Sequence, residues 1–116
     1  MDSDQLVELE AVRVKYYSTH DEQCFFDWLG RMECVRRFYG RGDTLYIVID
    51  RALLSRREVH DLLGFFYRYN ISMTQLRVLE TPEFSSFLRD RDAYWNYRMF
   101  RSKDAAAWVA RGGVQS

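Results

Sequence analysis

The sequence predicts an α+β domain, and three observations carry that prediction. Short β-prone runs alternate with amphipathic helical stretches, a glycine-rich connection joins two of the runs, and 116 residues at 47% hydrophobic content suffice for one core. Surface scaling for a chain of 14.0 kDa allows roughly two thirds of the open-chain area to be buried without metal or disulfide support.

Val12, Val14 and Tyr16 alternate with Arg13, Lys15 and Tyr17, the period of a strand with one buried face. Thr19 and Glu22 have capping-box spacing, and Phe25, Trp28, Leu29 and Met32 then mark one face of a helix. Cys34 to Tyr39 and Thr44 to Asp50 read as antiparallel strands on either side of Gly40-Arg41-Gly42-Asp43, whose glycines permit a hairpin connection. The tripeptide Arg41-Gly42-Asp43 is read here as loop chemistry and not as an adhesion motif. Ser55 with Glu58 forms a second capping box, followed by Val59, Leu62, Leu63 and Phe66 on one helical face and a stop near Asn70. Gln75 to Leu79 reads as a short strand. Thr81-Pro82-Glu83 opens a helix carrying Phe84, Phe87 and Leu88, because proline at the first turn gives up no needed hydrogen bond. Residues 93 to 101 are aromatic without a clean period. Ser102 is placed to cap a last short helix running through Trp108, and Gly112 to Ser116 are expected to fray.

In this order the elements are βαββαβ, which folds most simply into a ferredoxin-like split βαβ: an antiparallel sheet with helices on one face and a C-terminal helical extension. The expected organisation is a single domain over 1–116, with a core over 11–80 and the aromatic extension over 81–111. The other sheet face is expected to carry Arg13, Lys15 and Tyr17, then Tyr46 and Val48, then Arg77. Either Arg36 and Phe38 or Arg37 and Tyr39 join them, and alternation does not choose between the pairs. The extension, or a second copy of the chain in a homodimer, is an alternative cover for that face.

Seventeen basic residues balance seventeen acidic ones. The first ten residues hold four acids and no base, so residues 11–116 carry a net charge of +4. Fifteen of the cations are arginine, whose planar fork suits carboxylates, phosphates and aromatic faces. The acidic start is the reverse of an export or transit signal, and no apolar run approaches the ~20 residues of a membrane span, so a cytoplasmic protein without a membrane partner is expected.

Catalytic signals are sparse. His20 and Cys24 stand one helical turn apart and could in principle pair as base and nucleophile, but Cys24 next to Phe25 and Phe26 reads as a buried thiol, as does Cys34. No third or fourth ligand accompanies them, so neither a metal nor another cofactor is expected. His60 lies in a charged first turn, and Asp27, Asp50 and Asp61 show no pair spacing. Phosphate-loop, nucleophile-elbow and zinc-protease motifs are absent, which argues against an enzyme. An arginine- and tyrosine-rich sheet face permits single-stranded nucleic-acid binding, but the third strand lacks the RNA-recognition signature and the net charge is zero. Protein binding fits better. Three tryptophans, eight tyrosines and eight phenylalanines supply anchor residues in excess, with Trp95, Met99 and Phe100 assigned to the core. Tyr17, Tyr46, Arg77, Tyr94, Tyr97, Arg98 and Arg101 are the expected contact residues.

Phe66-Tyr67-Arg68-Tyr69-Asn70-Ile71-Ser72-Met73-Thr74-Gln75-Leu76, with Tyr94-Trp95 and Met99-Phe100 downstream, resembles small bacterial immunity proteins of polymorphic and contact-dependent toxin systems. The likeness covers the second half of the chain. It implies a cytoplasmic, non-catalytic protein that binds one cognate toxin domain and blocks its active site or substrate groove. Contact surfaces in such families diverge, so no binding residue carries over. Immunity proteins against nucleases are often acidic, and the neutral charge of this chain argues against a nuclease target.

Overall fold

The computed structural model describes residues 5–110, which form two compact units dividing between Ile71 and Ser72. The first holds β1 (Leu6–Val12), α1 (Thr19–Arg31), β2 (Val35–Arg41), β3 (Thr44–Asp50), a 3-10 turn (Arg51–Leu53) and α2 (Arg56–Arg68). Its sheet has the order β1-β3-β2, with both neighbouring pairs antiparallel. The chain is thus α+β, with β3 inserted between the two strands that α1 connects.

The strand expected at Val12 to Tyr16 lies earlier. In β1, Glu8 and Glu10 alternate with Val7, Leu9 and Ala11; Leu9 and Ala11 are buried, opposite Ile47 and Leu45. Arg13 ends the strand by adopting a left-handed conformation, φ 49°, at a cost of about 1–2 kcal/mol for a side chain with a Cβ. Its N–H donates to the Asp43 carbonyl at 2.8 Å and its guanidinium meets the Asp43 carboxylate at 2.6 Å, which fix that turn. Arg13, Lys15 and Tyr17 are therefore not on the sheet.

Ser18, not Thr19, caps α1, its hydroxyl accepting from the Asp21 N–H at 3.0 Å. Phe25, Leu29 and Met32 are buried as the helical spacing predicts. The hairpin is tighter than expected, because β2 runs on through Arg41 and leaves a two-residue loop. Gly42 has φ 63° at the first loop position, where a hairpin of this length needs a residue without a Cβ. A bulge between Val35 and Arg37 settles the parity of β2: Phe38 faces Phe26 of α1, with ring centroids 5.8 Å apart, while Arg37 and Tyr39 face outward.

Ser55 caps α2 as expected, accepting from the Glu58 N–H at 3.2 Å. The Glu58 carboxylate accepts instead from the Cys34 N–H at 3.1 Å, tying α2 to the start of β2. The helix ends in a Schellman arrangement: Ile71 N–H donates to the Phe66 carbonyl, Asn70 N–H to that of Tyr67, and Asn70 takes φ 55°. Asparagine tolerates that conformation better than most residues. Phe25 sits at the middle of this unit, ringed by Tyr16, Phe26, Phe65 and Tyr69 at centroid distances of 4.8–5.2 Å.

The second unit corrects the fourth strand. Thr74–Leu79 is a 3-10 helix, because Met73, Leu76 and Leu79 are buried at a spacing of three, the period of that helix. Among the described residues the sheet has three strands, and the full βαββαβ order is not present. The helix opened by Thr81-Pro82 is short, α3 (Ser85–Leu88), with Phe84 and Leu88 buried. Thr81 Oγ1 is buried without a hydrogen-bond partner among the described residues, and the Thr81 carbonyl closes the turn by accepting from Phe84 and Ser85. Tyr97–Arg101 is a π-helical turn, whose wider winding removes the 3.6-residue period from that stretch. Met99 is buried within it, and Trp95 is buried just before it. Ser102 caps α4 (Lys103–Ala110), its hydroxyl accepting from Ala105 N–H at 3.1 Å. The expected fraying of Gly112 to Ser116 falls outside the described residues. No helix among those residues is long and apolar enough to cross a membrane.

Candidate functional site

The outer face of the sheet presents a sorted set of side chains. Register places Glu10 and Tyr39 on either side of Tyr46, and Glu8 and Arg37 on either side of Val48. Glutamates thus line β1, Arg37 and Tyr39 stand on β2, and Tyr46 and Val48 lie between them on β3. Tyr39 and Tyr46 stack at 5.2 Å with their planes 21° apart, and the Arg37 guanidinium lies 5.7 Å from the Tyr39 ring centre. The Tyr39 hydroxyl donates to Glu8 Oε2 across the middle strand. That hydrogen bond holds the phenol pKa above its ordinary value. Arg36, displaced by the bulge, pairs with Asp50 at 3.0 Å. Leu6 and Val12 remain exposed at the two ends of β1.

Of the expected contact residues, Tyr17 and Tyr46 belong to the first unit and the other five to the second. Tyr46 is on the outer sheet face as predicted. Tyr17 is on the link between β1 and α1, 84% exposed. Arg77 comes from the 3-10 helix and not from a strand, and its guanidinium stands 4.9 Å from the centre of Phe100. Arg89 approaches the same ring at 4.6 Å while holding Glu80 with two hydrogen bonds of 2.6 and 2.9 Å. Those bonds keep the Glu80 carboxyl below the usual carboxylate range. Arg77 is consequently a ring-packing residue in this unit. Tyr94 and Tyr97 are 51% and 57% exposed, and the exposed Arg101 sits 5.7 Å from the Tyr97 ring centre. Arg98 is half-buried, and its carbonyl accepts from the hydroxyls of Thr74 and Ser102. The residues that sequence reasoning left open or omitted are Glu8, Glu10, Arg37 and Tyr39. The alternation of glutamates with Val7, Leu9 and Ala11 was the available signal for the first two of them.

The two thiols differ. Cys34 is buried, and its pKa is pushed far up by burial and then by Glu58. Cys24 is exposed, contrary to expectation, because its position on α1 falls between the buried Phe25 and Leu29 stripe and the solvent side. Its Sγ lies 3.6 Å from His20 Nε2. No group of three or more metal-ligating side chains occurs among the described residues. Comparison of the chain with family models, characterised proteins and solved structures finds no match.

Proposed function

We propose that the chain is a non-catalytic protein-binding module that uses the outer sheet face, with toxin neutralisation in the cytoplasm as its most specific form. What carries the reading is the charge sorting around the Tyr39–Tyr46 stack, with Glu8 and Glu10 on one side and Arg37 on the other. Stacked tyrosines beside arginine are anchor chemistry for protein interfaces, and a face bearing both signs of charge fits a partner bearing both. A nucleic acid would place its phosphates next to Glu8 and Glu10, a repulsion that a base-stacking platform does not tolerate. The resemblance over residues 66–76 narrows the partner to a toxin domain.

Co-expression with the product of the adjacent reading frame tests this. The wild-type chain is expected to form a stable complex with that product and to keep the host growing. The Arg37→Ala, Tyr46→Ala double variant should lose both complex and protection while retaining its far-ultraviolet circular dichroism. A neighbouring product that harms the host yet is bound equally by the double variant would refute the assignment of this face, and one that neither binds nor harms would refute the toxin reading.

A further inference from the structure

The first unit has a concavity of about 530 Å3 away from the Tyr39–Tyr46 stack, between the link following β1 and the end of α2. Its size is in the range of small-molecule sites. Arg13, Lys15 and Arg68 bring three cations to its wall, and Asp21 brings one carboxylate. Both non-glycine residues with left-handed backbone among the described residues, Arg13 and Asn70, line it.

The side chains there are not equally committed. Among the described residues Arg13 is held by Asp43, whereas Lys15 makes no hydrogen bond or ion pair, and Arg68 makes only a long contact, 6.0 Å, with the Tyr69 ring. Tyr17 exposes 84% of its surface at the same rim, its N–H donating to Asp21 at 2.9 Å and so fixing the link to α1. Two uncommitted cations suit a phosphate, and an open ring beside them suits a heteroaromatic base. The Asp21 carboxylate sets a further condition. It repels a ligand that is anionic throughout, such as a polyphosphate, and accepts from a ligand whose other end carries hydroxyl or amine donors. Phosphate, sugar hydroxyls and aromatic base occur together in a nucleotide.

We infer that the cleft between Arg13–Tyr17 and Arg68–Asn70 binds a nucleoside monophosphate, with Lys15 and Arg68 on the phosphate, Tyr17 on the base and Asp21 toward the sugar or an exocyclic amine. This site is independent of the sheet face and stands whether or not that face binds a protein.

Isothermal titration of the full chain with adenosine 5′-monophosphate, adenosine and inorganic phosphate tests it. The monophosphate should bind, and adenosine and phosphate should each bind at least about tenfold more weakly, since each lacks one half of the recognition. Lys15→Ala and Arg68→Ala should each weaken the monophosphate about tenfold through loss of a charge-assisted hydrogen bond. Tyr17→Ala should weaken the monophosphate and leave phosphate unchanged. All three residues are exposed, so the melting temperature is expected to hold and binding losses are readable as such. Absence of monophosphate binding at millimolar concentration, equal binding of adenosine, or equal binding by the Lys15→Ala, Arg68→Ala double variant would each overturn the proposal.

Discussion

Phe25→Ala is expected to lower the stability of the first unit by about 3–5 kcal/mol, the range for truncating a fully buried aromatic ring. Phe25 has no exposed surface, and four aromatic rings from the link, α1 and α2 close around it. Those rings come from separate elements with their own backbone hydrogen bonds, so they cannot all collapse into the void. Part of the cost is therefore the cavity itself. Phe25→Leu should recover about half of the loss by refilling most of the volume. Urea unfolding followed by far-ultraviolet circular dichroism reads the difference. A loss below about 1 kcal/mol would show that the cluster repacks and that Phe25 is not its centre.

The second large effect is expected at Trp95, where truncation to alanine should cost the second unit about 3–5 kcal/mol. The indole is 7% exposed and packs edge-on against Phe87 and Tyr94. Its Nε1–H donates to the Leu88 carbonyl at 2.9 Å, which anchors the end of α3. Trp95→Phe separates the two contributions. It keeps much of the apolar area and removes the donor, leaving a buried carbonyl short of a partner at about 1–3 kcal/mol. Equal melting temperatures for Trp95→Phe and wild type would show that the hydrogen bond contributes nothing.

How far the sequence led is clearest in α2. Ser55, the spacing of Val59, Leu62, Leu63 and Phe66, and the stop at Asn70 were all readable, because one cap, one apolar face and one left-handed asparagine act locally. The first strand was misplaced for a physical reason: Val7, Leu9 and Ala11 alternate as well as Val12, Val14 and Tyr16 do, and only the left-handed Arg13 decides between them. Residues 74–79 failed differently. A run of six with Leu76, Val78 and Leu79 fits a strand or a 3-10 turn, and it is the spacing of three from Met73 that tertiary burial selects. The aromatic stretch around Tyr97 had no period to find, since a π-helical turn does not repeat at 3.6 residues. At the candidate interface Tyr46 was legible from the alternation of β3. Its partners were not, because the bulge before Arg37 changes the parity of β2 and leaves no mark in the local composition.

The claim that the outer sheet face grips a protein is tested most directly by hydroxyl-radical footprinting of the chain alone and in complex with the product of the adjacent reading frame. Tyr39, 37% exposed, and its stacked neighbour Tyr46 should both oxidise in the free chain and become several-fold slower in the complex. Unchanged oxidation of both tyrosines in a formed complex, with protection confined to other residues, would contradict it.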